Sequence, residues 1–232
     1  MLYFLIVVFS IVLADVPSDL QMAADENLPQ HVREQAFSRL VSADATDKEY
    51  IAEFAVDSET DFRERWIAIR VLGQIRGKTA KQVLPNLLKD QQPAIRTAAA
   101  SALGDVGSWD YSGSLAELLQ DKTVVVRAAA AEALGKIGDP SVIPQLELAI
   151  SSKQNYYRGK SLWVRKHYVF SLGNIKHRHA YPVLLKTLDD KDEEVVAASL
   201  AALETIAGFN FEQGRTKAKQ IEAWRRWINQ RL

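Results

Sequence analysis

The strongest constraint on this chain is that it repeats itself. Residues 126 to 137 (VRAAAAEALGKI) align in register with 95 to 106, with 64 to 75 and with 164 to 175. Weaker copies begin at Val32-Arg33 and at Val195-Val196. The matched positions are Arg33, Arg65, Arg96, Arg127, Arg165 and Val196, spaced by 32, 31, 31, 38 and 31 residues. A period of that length marks a stacked array of small units. Within a copy the apolar residues keep helical spacing, as Ala130, Leu134 and Ile137 do at i, i+4 and i+7. A second apolar run precedes each of the later copies: 50–56, 83–88, 115–119, 142–150 and 181–188. Each unit therefore reads as a helix pair. Asp139-Pro140 supplies an N-cap followed by proline at the first helical position. One such pair cannot bury its apolar face alone, so the copies must stack into an all-α solenoid.

Glycine recurs at Gly73, Gly104, Gly135 and Gly173, always eight residues after the matched arginine. Inside a helix glycine costs about 1 kcal/mol relative to alanine. Its return at one position predicts a close approach between helices there, and the many alanines suit such tight packing.

The period, the V-R-x-A-A-x-x-L-G line and an aspartate six residues before the arginine (Asp90/Arg96, Asp121/Arg127) resemble HEAT repeats. More narrowly they resemble the short bacterial variant also found in phycobilin lyase subunits. The resemblance covers about residues 27 to 207. It implies a right-handed, armadillo/HEAT-like superhelix of about six helix pairs. It also implies that Asp90, Arg96, Asp121 and Arg127 form a ladder linking neighbouring repeats, with Glu59/Arg65 as a weaker rung. Val196 and Gly159 break the pattern in the last two copies. The tail, 208–232, is similar to a terminal A-W-x-x-W helix, with Trp224 and Trp227 three apart and Ile221 and Ile228 on the same stripe. Its expected role is to cap the open end of the stack.

Helical phase places positions one, five and nine after each matched arginine together, away from the core. Along the array this row holds Glu34 and Ser38, then Trp66, Arg70 and Gln74, then Thr97, Ser101 and Asp105. It continues through Ala128, Glu132 and Lys136, then Lys166, Phe170 and Asn174, and ends at Ala197, Ala201 and Thr205. In HEAT-like solenoids such a row lines the concave surface, where partners bind. Trp66 and Phe170 stand out in it, because aromatics beside Arg or Lys are common interface anchors. The 38-residue interval carries seven extra residues, within 151–162 (SSKQNYYRGKSL). Solenoid insertions form loops on one face, often the binding face. This one brings Tyr156, Tyr157 and Arg158, and Trp163, Lys166 and His167 follow it. A tolerated loop with no ligand is the competing reading.

Lys and Arg number 29 against 29 Asp and Glu, but the balance is uneven along the chain. Residues 15–62 hold 12 acids and three bases, whereas residues 151–188 hold eight bases and no acid. An acidic partner surface could meet that second stretch. Zero net charge argues against a general nucleic-acid binder, although residues 151–188 keep an anionic polymer as an alternative. With no cysteine there is no disulfide, thiolate zinc site or cysteine nucleophile.

Residues 2–13 (LYFLIVVFSIVL) are almost wholly apolar yet too few to span a bilayer, which takes about 20. They fit the core of a secretory signal, with Val12-Leu13-Ala14 as the cleavage pattern. The expectation is a signal over 1–14, a mature solenoid domain over 15–232, and export to the periplasm or beyond with no membrane span left. If the segment is not a signal, the chain belongs to the cytoplasm. Enzyme signatures are weak: there is no P-loop, dinucleotide fingerprint or G-x-S-x-G line. The His-Glu metal motif of deoxyhypusine hydroxylase is missing, and His177-Arg178-His179 offers too few ligands for a metal. The expected function is therefore an exported, non-catalytic scaffold that binds a protein and needs no cofactor. A lyase-like subunit acting on a chromophore or prosthetic group is the alternative.

Overall fold

In the computed structural model, residues 15–211 and 216–231 are described. The expected signal at 1–14 lies outside them. Six helix pairs follow one another. They are α1 (Val16–Ala24) with α2 (Gln30–Val41), α3 (Ala45–Val56) with α4 (Phe62–Ile75), and α5 (Lys78–Leu87) with α6 (Pro93–Val106). Then come α7 (Ser112–Glu117) with α8 (Val124–Ile137), α9 (Ile143–Ser151) with α10 (Val164–Ile175), and α11 (Tyr181–Thr187) with α12 (Glu193–Ala207). A further helix, α13 (Lys217–Asn229), follows them. The all-α solenoid expected from the repeats is present. It starts earlier than the repeat pattern suggested, because α1 is the first helix of the first pair. The resemblance at 27–207 lost it because its apolar residues directly follow the leader.

The second helices stack on one another from α4 to α12, and here the glycines do their work. A Cβ on Gly73 would lie 2.8 Å from Ala102 Cα, one on Gly104 2.8 Å from Ala133 Cα, and one on Gly173 2.8 Å from Ala202 Cα. At Gly135 the neighbour is Ser171, at 3.1 Å. Each glycine thus admits the next repeat's small residue, six positions past its own matched residue. The first helices of successive pairs approach each other less closely, so the array curves toward the layer of second helices.

A ladder of charged side chains runs along one edge. Arg65 donates to Asp90 at 2.7 Å, Arg96 to Asp121 at 2.8 and 3.0 Å, and Arg165 to Asp190 at 2.5 and 3.1 Å. Each rung joins an arginine to the aspartate 25 residues later, in the next repeat. Asp90 and Arg96 meet through a backbone carbonyl instead: Arg96 donates to the Asp90 oxygen, and Arg127 to that of Asp121. Glu59 takes no part. The carboxylates at 90, 121 and 190 also accept the N–H two residues on, which fixes the turn that carries them.

The seven-residue insertion folds as a short hairpin, β1 (Tyr156–Tyr157) against β2 (Lys160–Ser161). Its turn residues Arg158 and Gly159 both have positive φ, the geometry a tight two-residue hairpin requires. Just before it, Asn155 is fully buried and does the aspartate's work. Its Oδ1 accepts from Arg127 Nε at 3.0 Å, and its Nδ2 donates to Ala149 O at 2.8 Å. At the far end Trp224 and Ile228 are wholly buried, within a cluster of Phe209, Phe211 and Trp227 rings.

Candidate functional site

The row predicted on the second helices is exposed or half-buried throughout, except for Ala128. Neighbouring repeats join across it. Lys136 donates to Asp105 at 2.8 Å, and Lys166 to Glu194 at 2.7 Å. His167 Nδ1 lies 2.8 Å from Glu132 Oε1.

Two aromatic places interrupt the row. Trp163, the N-cap of α10, shares one stripe with His167 and Phe170 of that helix, at i, i+4 and i+7. The Trp163 and His167 rings meet edge to face at 5.0 Å. Trp163 is 44% exposed and Phe170 43%, although both sit beside a tightly packed core. On α4, Trp66 is half-buried, and the Arg70 guanidinium lies 4.7 Å from its ring centre and 5.1 Å from that of Phe37. Three helix-to-helix steps of about 8–10 Å separate α4 from α10, so the two places are distinct.

The hairpin divides its expected residues. Tyr156 lies over the guanidinium of Arg165, 4.6 Å from ring centre to Cζ, and so belongs with the ladder. Tyr157 is 63% exposed at the tip with Arg158 over its ring. Asp189, Asp190 and Asp192 close the space on the hairpin's other side.

The basic stretch at 151–188 is not bare charge. Acids from outside it reach in: Asp190 to Arg165, Glu194 to Lys166, Glu147 to Lys186 and Glu132 to His167. Burial pushes the Asp190 carboxyl up, but the Arg165 hydrogen bond, the Asp192 N–H and the Arg165 charge outweigh it and hold it below the usual range. Asp121 behaves alike: burial raises it, and Arg96 with the Thr123 N–H brings it below. Among the described residues no group of three or more His, Cys, Asp or Glu could hold a metal, and no helix is long and apolar enough to cross a membrane.

Phe37 went unnoticed in the sequence: it is the second ring against Arg70, and Arg33 lines the same hollow. Arg33 was counted among the matched arginines, yet it makes no ion pair among the described residues.

Stacked helix pairs, small-residue contacts between second helices and a charged ladder define a helical-repeat solenoid. The sequence model described as HEAT repeats matches residues 51–124 and 106–163, so the chain carries HEAT repeats there. Solved structures of like fold include the karyopherin Kap121p bound to the extreme C-terminus of the protein phosphatase Cdc14p. That likeness has 15% identity and a TM-score of 0.58, over 83% of this chain and 25% of the karyopherin. Another is the YibA protein of E. coli, at 22% identity and a TM-score of 0.57, over 81% of this chain and 69% of that one. The complex of CpcE and CpcF of phycocyanin lyase from Nostoc is similar at 18% identity and a TM-score of 0.45, over 92% and 94%. These likenesses are of fold. No curated protein matches in sequence.

Proposed function

We propose that this chain is an exported repeat protein that binds another protein through its row of second-helix residues and catalyses nothing itself. The observation that carries this is the α10 stripe. Trp163 and Phe170 remain more than two-fifths exposed on a helix whose other face is buried. Full burial of such a side chain is worth about 1.5–3 kcal/mol, and a partner covering the part still exposed would gain a corresponding share of it. Lys166 and His167, each held by an acid of a neighbouring repeat, form a polar border beside these anchors. The exposed Tyr157 at the hairpin tip extends the surface. Export rests on the apolar run at 2–13 with its Val12-Leu13-Ala14 ending. A karyopherin of this fold holding the end of another protein is an example of the same use.

The test is a cross-linking pull-down from the native cell with the wild-type chain and the triple variant Tyr157→Ala, Trp163→Ala, Phe170→Ala. All three side chains are partly exposed, so the variant should melt within a few degrees of wild type. The proposal expects the captured partner to disappear with the variant. Equal capture by both chains would overturn it. N-terminal sequencing of the mature protein tests export, for which the expected first residue is Asp15.

A further inference from the structure

The stack is regular from the second repeat onward, but its first step is different, for a reason written in the sequence. At every later step from α4 to α12 a glycine meets Ala102, Ala133, Ser171 or Ala202. At the first step the glycine's place is Val41, and the small residue's place is Val71. Two branched side chains cannot interdigitate as Gly and Ala do. Accordingly α2 does not close on α4, and α1 packs against both helices instead. A groove remains between α2 and α4, in two joined parts. The larger, about 560 Å³, is lined by Gln30, Arg33, Glu34, Phe37, Trp66 and Arg70. The smaller and more apolar, about 250 Å³, lies among Ala23, Arg33, Phe62, Arg63, Trp66 and Ile67. Arg33 and Trp66 belong to both.

The charges in the groove are unmatched in a specific way. Arg63 is paired with Glu26 at 3.2 Å, and Glu34 accepts from Gln30 at 2.8 Å. Arg33 and Arg70 have no carboxylate among the described residues, and Arg33 Nε is buried with no hydrogen-bond partner. By the 25-residue offset of the other rungs, Arg33 would look to position 58, which holds Ser58 and no acid. Arg70 lies against the rings of Phe37 and Trp66, and an arginine stacked in this way keeps its in-plane N–H donors for an acceptor.

We propose that this groove docks a segment of the protein partner carrying one carboxylate next to an aromatic or aliphatic side chain. Arg33 and Arg70 bind the carboxylate in the larger part, and the apolar neighbour fills the smaller part against Trp66 and Phe62. The occupant is a single carboxylate rather than an acidic run, because the surrounding residues 15–62 carry 12 acids to three bases and repel a polyanion. The inference deepens the protein-binding reading and rests on it, but it concerns a different surface from the α10 stripe.

The probes are three blocked peptides: acetyl-Gly-Leu-Glu-Phe-Gly-amide, its Gln twin, and acetyl-penta-Glu-amide. Binding is read from the indole N–H signals of the full ¹⁵N-labelled chain, whose five tryptophans allow Trp66 to be assigned with a Trp66→Phe variant. The expected result is a saturable shift of the Trp66 signal with the Glu peptide, with the Gln twin and penta-Glu each at least tenfold weaker. Arg33→Gln and, separately, Arg70→Gln should erase the preference for Glu over Gln while melting as wild type does. An unmoved Trp66 signal, equal titration by the Glu and Gln peptides, or tighter binding of penta-Glu would each overturn the inference. None of these results touches partner capture by Tyr157, Trp163 and Phe170, so the two readings can fail separately.

Discussion

At the scale of single residues, the glycines and their caps give opposed predictions from one residue type. Gly104 faces the Ala133 backbone, which cannot yield as a flexible side chain would. A Gly104→Ala change gains about 1 kcal/mol in helix propensity. It then meets an overpacking cost of about 1–3 kcal/mol. The net expectation is a loss of stability of up to about 2 kcal/mol in urea unfolding, with Gly135→Ala milder because its neighbour stands at 3.1 Å. A Gly104→Ala variant as stable as wild type would show that the helices slide apart freely. The opposite sign is expected at the helix ends. Helices α6, α8 and α12 finish on Gly107, Gly138 and Gly208 in the left-handed region, but α4 and α10 finish on Arg76 and Lys176 with φ of 54° and 53°. Both side chains are exposed. Replacing either with glycine relieves a left-handed penalty of about 1 kcal/mol. Calorimetry should show a rise of a few degrees for Arg76→Gly and Lys176→Gly, and a fall in either would refute this account of the caps.

At the scale of elements, the hairpin shows how an insertion is absorbed. It shifts the register, so the position six residues before Arg165 holds Gly159 and no acid stands there for Arg127. Asn155 repairs the rung, and an amide suits the place better than an acid. Its Nδ2 must donate to Ala149 O while its Oδ1 accepts from Arg127. An Asn155→Ala variant leaves a buried guanidinium donor unmet and should cost about 1–3 kcal/mol. Asn155→Asp restores the charge but turns an oxygen toward the Ala149 carbonyl, so its loss should fall between those of wild type and Asn155→Ala. Equal stability of all three in urea unfolding would remove Asn155 from the ladder. The same elements show what could be read beforehand. Helix pairs, glycine approaches and the exposed row of the second helices follow from local periodicity, which the sequence displays directly. The true rungs, 25 residues apart, and the acids that pair with Arg165, Lys166 and Lys186 from other repeats do not, because they depend on how far each loop carries its side chains. Helix α1 escaped because it continues an apolar stretch of another kind. The groove lined by Arg33 was within reach, since Val41 and Val71 occupy the places of a glycine and a small residue, but only once the glycine's counterpart six positions past the next matched residue was known.

At the scale of the whole molecule, each repeat touches chiefly its neighbours, so the array is as coherent as its interfaces. The ladder crosses these interfaces with buried arginines, which makes stability depend on the ionisation of its aspartates. Asp121 and Asp190 are held below the ordinary carboxylate range despite burial, by their arginines and by backbone N–H groups. A carboxyl whose pKa is lower folded than unfolded adds stability that is fully present above the unfolded value, near 4. That stability is lost as pH falls through the folded value. The melting temperature should therefore hold steady from pH 7 to about 5 and drop steeply below about 4 as these interfaces lose their charges. The double variant Asp121→Asn, Asp190→Asn should start lower at pH 7, with two buried guanidinium groups deprived of counter-charge. Between about pH 5 and 3 it should then fall less than wild type, because two of the titrating groups are gone. Circular dichroism melts of both chains across that range decide the matter. Parallel curves would mean that acid acts on the scattered surface pairs rather than on the ladder, and the repeats would then owe their cohesion to the continuous apolar core and the close glycine contacts.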